Sequence, residues 1–243
     1  GLFIFSSELK AIHTHPEFVK EFDHFAIEEY FAYGYIPEPR TIYKDAQKLS
    51  PGYSIKLSPH SKQIQPRQYW DVPFAPHSDM SEQAVEQELI TRFREAVDIH
   101  LMSEVPLGAF LSGGVDSSAV VAMMSGLMKD SVNTCSISFA NPVFDESKYA
   151  QEVADRYHTK HYVDQVEQDD FDLIDKLAFL YDEPFADSSQ IPTFLVSQLA
   201  RQSVTVALSG DGGDEVFGGY TRYMWGDTLQ KISTRVPFCG NLA

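Results

Sequence analysis

The sequence has 243 residues, 43% of them hydrophobic, and a formal net charge of −16. This length allows one large domain or two small ones, and the hydrophobic content is sufficient for a packed core. The strong negative charge argues against a sequence-independent nucleic-acid binder, which needs a basic face, and against an anionic membrane as a partner. No apolar run approaches the about 20 residues that a membrane-spanning helix requires.

The cysteine content and the two ends of the sequence lead to predictions of the cellular compartment and of whether the sequence is a fragment. Cys135 and Cys239 are too few for a disulfide framework or a zinc site, and Cys135 is interpreted as an inert core thiol because its surroundings are apolar. With no secretory leader at its start, the protein is predicted to be cytoplasmic. The start on Gly1 before an apolar run, and an end without an obvious element, favour a fragment of a longer protein.

Residues 1 to about 70 mix short apolar runs with turns. GLFIFSSELKAI predicts a strand followed by a helix, and AIEEYFAYGYIP predicts an aromatic-rich helix that ends near Gly34. LSPGYSIKLS alternates after a Pro-Gly turn, which is typical of a strand. WDVPFAPHSD is the best candidate linker, so we predict a first domain over residues 1–72 and a second over residues 80–243.

From residue 80 the pattern changes to alternating helices and strands. Apolar residues recur every four positions from Val85 to Leu101 and predict one long amphipathic helix. PLGAFL, NTCSISF, KHYVDQV and VTVALS predict four strands, and helices are predicted at about 117–128, at ESKYAQEVADRY and twice between 170 and 202. This alternation indicates an α/β fold with a parallel sheet and right-handed crossovers, whose ligands bind beyond the carboxyl ends of the strands.

A glycine-rich loop, SGGVDSS, lies between the predicted strand PLGAFL and the following helix. Ser112, Gly113 and Gly114 bring backbone N–H groups close to an anion, and the helix amino terminus points unpaired amides at the same place. Asp116 would repel an anion unless a cation bridged the two, which indicates Mg²⁺ shared with phosphate oxygens.

Two further features of this loop refine the interpretation. Ser117 and Ser118 add hydroxyl donors, and the loop lacks the Lys of the G-x-x-x-x-G-K-[ST] pattern, which argues against a kinase or GTPase phosphate loop. The alternative interpretation is an ordinary turn followed by a helix cap.

A second glycine-rich stretch, LSGDGGDEVFGGY, also follows a predicted strand. Asp211, Asp214 and Glu215 crowd one another, so burial or a metal is expected to perturb some of their pKa values. The alternative is a solvated acidic turn in which Asp214 caps the next helix. Because both loops follow strands of one parallel sheet, we expect them to open at the same edge.

These strings carry a family resemblance. SGGVDSS resembles the pyrophosphate loop of the N-type ATP pyrophosphatases, which cleave ATP between its α- and β-phosphates. Paired with LSGDGGDEVFGGY, and with DEPFADSSQIPTF between them, it resembles the glutamine-dependent asparagine synthetases and their amidotransferase relatives. The first 70 residues resemble the tail of that family's glutaminase domain. The resemblance implies a parallel-sheet ATP-pyrophosphatase domain, preceded by the α+β tail of an N-terminal-nucleophile glutaminase domain.

The resemblance also implies ATP and Mg²⁺ as cofactors and assigns roles to residues. The residues expected to hold the nucleotide are Leu111, Ser112, Gly113, Gly114, Asp116, Ser117, Ser118, Ile137, Ser209 and Gly210. Asp116 and Asp187 are the expected metal ligands, with a helix cap as the alternative for Asp187. Asp211 is the expected catalytic residue, at a position where asparagine synthetases usually carry Glu.

The implied reaction activates aspartate as an acyl-adenylate, releases pyrophosphate, and amidates the acyl group with glutamine-derived ammonia to give asparagine and AMP. Because Asp211 departs from the usual residue, an enzyme that amidates a sugar acid for a surface polysaccharide stays open. A β-lactam-forming relative and a non-catalytic nucleotide-binding module stay open too. The family's nucleophilic Cys and a late Lys are expected outside this chain, and the oligomeric state is left open, with a homodimer as one option.

Overall fold

The computed structural model describes residues 2–58, 65–73, 79–143, 145–166 and 173–235. In chain order the elements are α1 (Leu9–Ile12), α2 (His24–Tyr33), β1 (Tyr53–Ile55), β2 (Pro66–Gln68), α3 (Glu82–His100), β3 (Leu107–Phe110), α4 (Val115–Leu127), β4 (Asn133–Phe139), α5 (Ser147–Tyr157), β5 (Lys160–Val166), α6 (Leu173–Tyr181), α7 (Gln190–Ala200), β6 (Val206–Leu208), α8 (Gly213–Phe217) and α9 (Thr221–Arg235). No helix in these ranges is long and apolar enough to cross a membrane.

The chain divides into two compact units. The amino-terminal unit joins Gly1–Asp79 to the distant segment Asp169–Pro192, and the carboxy-terminal unit joins Met80–Gln168 to Thr193–Ala243. The sequence did not indicate that a segment from the second half of the chain would pack with the first unit. The domain boundary predicted between residues 72 and 80 stays a prediction.

The amino-terminal unit contains α1, α2, α6 and the antiparallel pair β1–β2. Helix α2 begins where Asp23 Oδ1 accepts a hydrogen bond from the Phe25 amide at 2.9 Å, and it ends at Gly34, whose φ of 81° suits glycine. The strand predicted in residues 1–6 is wrong for the described residues 2–6, which pair with no strand in the described chain. The candidate linker lies partly outside the described residues, since these omit 74–78.

The carboxy-terminal unit is built on a four-stranded parallel sheet with strand order β5-β4-β3-β6, so the predicted α/β fold is confirmed. Strand β3 pairs with β4 on one side and β6 on the other, with Ala109 opposite both Thr134 and Leu208. The first three residues of β3 are buried, as expected for a central strand of a parallel sheet. The main core cluster contains Val97, Leu107, Ala109, Leu111, Val120, Val121, Met124, Val132, Ala150 and Ala154.

The helices of this unit follow the sequence pattern closely. Helix α3 begins where the Ser81 hydroxyl accepts a hydrogen bond from the Ala84 amide at 3.3 Å. Helix α4 begins at Val115, two residues before the predicted start, because Gly114 and not a serine is its N-cap. Cys135 is 1% exposed, which confirms that it is a core cysteine, and burial raises the pKa of its thiol. Cys239 lies outside the described residues.

Candidate functional site

Two loops follow adjacent strands of the parallel sheet. The first loop (residues 112–118) connects β3 to α4 and includes the first turn of α4, and the second loop (residues 209–219) follows β6 and contains α8. Since β3 and β6 are parallel neighbours, both loops leave the same edge of the sheet. This edge is the usual place for a ligand in an open parallel sheet.

The first loop is held by its own serine hydroxyls. Ser117 Oγ, which belongs to a buried residue, donates to the Gly114 carbonyl at 3.2 Å and accepts from the Ser112 amide at 3.3 Å. It also lies 3.0 Å from Ser112 Oγ, which accepts from the Gly114 amide at 3.2 Å. These bonds fix the backbone around the amino terminus of α4, so the loop has its shape before any ligand binds.

The backbone of the first loop leaves room for an anion at the start of α4. No side chain in the described residues caps this helix, because its N-cap is Gly114. Its first amides and the positive end of its dipole therefore form a potential anion site. Gly113 has a φ of +86°, and a Cβ there would lie 2.6 Å from the Ala150 amide nitrogen, so only glycine fits.

The second loop packs directly against the first. A Cβ built on Gly210 would lie 2.7 Å from the Ser117 amide nitrogen and 3.0 Å from Asp116 Cβ. A Cβ built on Gly213 would lie 2.4 Å from Asp116 Cγ. Such contacts require the bare Cα of glycine, so the prediction that the loops meet at one edge is confirmed. Gly213 was not among the predicted site residues, although its place in a glycine-rich run beyond a strand is a signal for close backbone approach.

Two of the acidic residues of the second loop, Asp211 and Glu215, have separate partners. Ser209 Oγ donates to Asp211 Oδ2 at 2.9 Å, and Tyr220 Oη donates to Glu215 Oε1 at 2.7 Å. This second hydrogen bond lowers the pKa of Glu215 and raises the pKa of Tyr220 to about 12. The Arg222 guanidinium lies 4.1 Å from the Tyr220 ring centroid, a cation–π contact that sequence reasoning did not foresee. The pKa of Glu215 is therefore perturbed by a hydrogen bond from a tyrosine, and not by the burial or metal that the sequence led us to expect.

Of three other predicted nucleotide-binding residues, two lie on or beside the central strands β3 and β4, and Ser118 lies in the first turn of α4. Leu111 is buried, and its carbonyl accepts a hydrogen bond from the Ser136 hydroxyl. Ile137 is partly buried near the end of β4, the neighbouring strand. Ser118 Oγ is a buried hydroxyl without a hydrogen-bond partner in the described residues. Their contacts with a nucleotide stay predictions.

Asp187 lies in the amino-terminal unit, whereas Asp116 lies in the carboxy-terminal unit. Asp187 Oδ1 accepts a hydrogen bond from the Ser189 amide at 2.7 Å, and hydrogen bonds from Ser189 lower the pKa of the Asp187 carboxyl group. This bond to the amide two residues later is local to the segment before α7, where the alternative interpretation places Asp187 as a helix cap, and the role of Asp187 as a metal ligand stays a prediction.

The donor set of the two loops fits Mg²⁺ that is held jointly with a phosphate. Within the described ranges no three His, Cys, Asp or Glu side chains are grouped to hold a metal by themselves. Mg²⁺ is usually bound by one or two carboxylates together with substrate phosphates, so a complete protein cage is not required. Asp116 lies against the second loop, and its role as such a carboxylate stays a prediction.

Comparison with known proteins shows that two families match this chain, one in each part of the sequence. Residues 88–241 match the asparagine synthase family, and residues 1–70 match the glutamine amidotransferase domain family. The chain belongs to the asparagine synthase family. A putative glutamine-hydrolysing asparagine synthetase 2 of Methanocaldococcus jannaschii is 43% identical over 238 residues, covering 95% of this chain and 46% of the relative.

Other relatives have the same type of name. Asparagine synthetase [glutamine-hydrolyzing] 1 of Bacillus subtilis is 33% identical over 238 residues, covering 96% of this chain and 36% of that protein. The chain thus spans less than half the length of these curated relatives. An NH3-dependent NAD synthetase structure from Campylobacter jejuni matches with 16% identity and a TM-score of 0.37, covering 55% of this chain and 60% of that chain.

Proposed function

We propose that this chain is part of a glutamine-dependent amide ligase that cleaves ATP to AMP and pyrophosphate. The observation that carries the proposal is the direct packing of Gly210 and Gly213 against Ser117 and Asp116, which joins two strand-end loops into one continuous surface. Membership in the asparagine synthase family and the names of the relatives support aspartate as the acid that is amidated.

The chain's own residues would act first on the phosphates. The first amides of α4, together with the Ser112 backbone and hydroxyl, would hold the pyrophosphate portion of ATP, and these donors need no reorganisation because Ser117 already fixes them. Asp116 would hold Mg²⁺, which offsets the charge that develops on the departing pyrophosphate. The nucleoside would lie toward Ser209, Gly210 and Ile137. Leu111, which is buried just before the first loop, would contact it there.

The acyl chemistry would then take place next to the second loop. Asp211 is exposed and hydrogen-bonded to Ser209, so its carboxylate is held near the proposed nucleotide site. The aspartate side-chain carboxylate would attack the α-phosphorus to give an acyl-adenylate, and ammonia from glutamine would displace AMP. Glutamine hydrolysis and amide synthesis in one protein are in line with the matches of this chain to the glutamine amidotransferase and asparagine synthase families.

Product analysis tests this proposal. Full-length protein incubated with ATP, Mg²⁺, aspartate and either glutamine or ammonium is expected to release AMP and pyrophosphate in equal amounts, with asparagine as the amide product. Release of ADP and phosphate would refute the proposal that the two loops cleave ATP to AMP and pyrophosphate. If AMP is formed only when a sugar acid replaces aspartate, the proposed cleavage of ATP stands, but the acid that is amidated is a sugar acid.

A further inference from the structure

A single basic residue stands just after the second loop. Arg222 is the only Lys or Arg in residues 202–230, and residues 106–128, which contain the first loop and α4, have none. The second loop itself carries three acidic residues. A positive charge in this position offsets the negative charge of an anion that approaches the two loops.

Two tyrosine rings restrain the Arg222 guanidinium. Its Cζ lies 4.1 Å from the centroid of the Tyr220 ring and 5.7 Å from the centroid of the Tyr223 ring. The centroids of the two rings are 5.7 Å apart, with an interplanar angle of 55°. Cation–π attraction acts on the face of a guanidinium and does not use the N–H donors at its edge. Arg222 is therefore held in place by contacts that leave its donors available.

The acid closest in sequence to Arg222, Glu215, already has another partner. Glu215 Oε1 accepts a hydrogen bond from Tyr220 Oη at 2.7 Å. This hydrogen bond is the largest cause of the lowered Glu215 pKa, and the charge of Arg222 is the smallest. In the described part of the chain no carboxylate forms an ion pair with Arg222. The guanidinium thus has room for an anion that the chain itself does not supply.

The place of Arg222 in its helix also favours an anion. Helix α9 begins at Thr221, so Arg222 lies in its first turn, which carries no acidic residue. The positive end of the helix dipole lies there and disfavours a second positive charge. An anion bound to Arg222 would be attracted by the guanidinium and by the dipole together, and would relieve this repulsion.

Short contacts connect this region to the nucleotide loops. The Gly219 amide donates to the Asp214 carbonyl at 3.0 Å, which ties the residue before Tyr220 back to α8. At the start of α8, a Cβ built on Gly213 would lie 2.4 Å from Asp116 Cγ. Arg222 therefore follows directly on the part of the second loop that packs against the first.

The proposed reaction contains one anionic group that still lacks a partner. The first amides of α4 and Mg²⁺ would hold the phosphates, and the β-carboxylate of aspartate must stay free to attack the α-phosphorus. The α-carboxylate of aspartate would then enter a site that holds a triphosphate and several acidic side chains, so it needs a cation. A guanidinium suits this role because it donates two parallel hydrogen bonds to one carboxylate.

We propose that Arg222 is a substrate-specificity residue that binds the α-carboxylate of the aspartate to be amidated. This inference rests on the proposed function. It makes Arg222 responsible for choosing an acid with a second carboxylate, while the two loops act on the nucleotide. Changes at Arg222 should therefore alter the use of aspartate and leave the use of ATP as it is.

The test measures pyrophosphate release by full-length protein at varied aspartate and varied ATP concentrations. In Arg222→Gln we expect kcat/KM for aspartate to fall by about 10- to 100-fold, mostly through KM, as for the loss of a hydrogen bond to a charged group. Arg222→Lys keeps the charge but not the two parallel donors, so its loss should be smaller. In both variants KM for ATP should stay within about twofold of the wild-type value, since uniform ATP binding is unchanged.

Arg156→Gln is the matched control. Arg156 is exposed in α5 of the same unit, and its guanidinium also lies over a tyrosine ring, that of Tyr157, at 5.9 Å. The variant removes one exposed, ring-bound guanidinium away from the second loop. Both KM values should therefore match those of the wild type.

A second probe removes the charge from the substrate and requires no variant to fold. Isoasparagine carries a neutral carboxamide in place of the α-carboxylate of aspartate. The wild type should bind isoasparagine about 10- to 100-fold more weakly than aspartate, because the same charged hydrogen bond is lost. Arg222→Gln should bind the two compounds alike. Inhibition of aspartate-dependent pyrophosphate release by isoasparagine measures this preference.

The outcomes separate this inference from the proposed function. An unchanged KM for aspartate in Arg222→Gln, a KM for ATP that rises in parallel, or a wild type that binds isoasparagine as well as aspartate would overturn the role of Arg222 alone. A wild type that releases no pyrophosphate with aspartate would overturn this role together with aspartate as the proposed acid.

Discussion

The first and second loops have similar compositions, but different interactions hold them in shape. The first loop is fixed by side-chain hydrogen bonds that centre on Ser117. The second loop also has side-chain hydrogen bonds, from Ser209 and Tyr220, but its glycines are what allow its backbone to lie against Asp116 and Ser117. The first loop therefore has its own structure, whereas the second depends on contact with the first. Loss of the Ser117 hydrogen bonds should therefore disturb the first loop, and a Cβ added at Gly210 should disturb the contact of the second loop with the first.

The largest effect is expected from Gly210→Ala. Its Cβ would lie 2.7 Å from the Ser117 amide nitrogen, a backbone atom that cannot move without shifting the start of α4. We expect a loss of about 100-fold in pyrophosphate release, as for other displacements near 1 Å at a reacting centre. Gly226→Ala is the control, because no described atom lies within 4 Å of a Cβ there. Equal activity of the two variants would show that the loops do not depend on this contact.

Asp116→Asn is expected to have the next largest effect. The amide keeps the size of the side chain but removes the charge that would hold Mg²⁺. ATP binding in the presence of Mg²⁺ should weaken by about 10- to 100-fold, as for the loss of one charged interaction, while binding without Mg²⁺ should change little. Isothermal calorimetry measures ATP affinity with and without Mg²⁺. Asp130→Asn, which makes the same change at an exposed position, is the control. The same loss of affinity with and without Mg²⁺ would contradict a metal role.

Ser117→Ala and Ser118→Ala compare neighbouring buried hydroxyls. Ser117 Oγ takes part in three hydrogen bonds of the first loop, whereas Ser118 Oγ has no partner in the described chain. Ser117→Ala should lower the free energy of unfolding by about 1–3 kcal/mol, and Ser118→Ala should leave it nearly unchanged or raise it. Thermal unfolding of both variants measures the difference. A larger loss of stability in Ser118→Ala would mean that this hydroxyl has a partner.

The smallest effect concerns the end of the second loop. The hydrogen bond to Glu215 raises the pKa of Tyr220 to about 12, so Glu215→Gln should return it toward 10. Because the folded pKa is raised, the stabilisation is fully present below the unfolded value near 10 and is lost as the pH rises through about 12. Tyrosinate absorbance measures the shift, with Tyr220→Phe identifying the signal. An unshifted titration in Glu215→Gln would exclude this hydrogen bond.

Local patterns of the sequence predicted much of the carboxy-terminal unit. The strands NTCSISF and KHYVDQV have the predicted bounds, although only β4 has a buried centre and the edge strand β5 has no buried residue. The start of α4 was predicted two residues late because serines usually cap helices, whereas Ser117 here turns its hydroxyl to the Gly114 carbonyl. The motif strings predicted that the two loops meet at one edge of the sheet.

Long-range contacts were beyond the sequence patterns. Nothing in the local pattern around Asp182 or Glu183 indicates that Lys10 and Lys48 are their partners, because these ion pairs join distant parts of the chain. The role of Gly213 likewise depends on where Asp116 places its carboxylate. The apolar run after Gly1 predicted a strand, but a strand needs a partner, and in the described chain residues 2–6 have none.

The central claim is that the two loops together hold one nucleotide. A crystal structure of the protein with Mg²⁺ and an ATP analogue that resists cleavage between the α- and β-phosphates tests it most directly. We expect the β- and γ-phosphates to lie at the start of α4 beside Ser112 and Gly114, Mg²⁺ to lie on Asp116, and the nucleoside to lie beside Ser209 and Gly210. A nucleotide that touches only one loop, or that binds away from both, would contradict it.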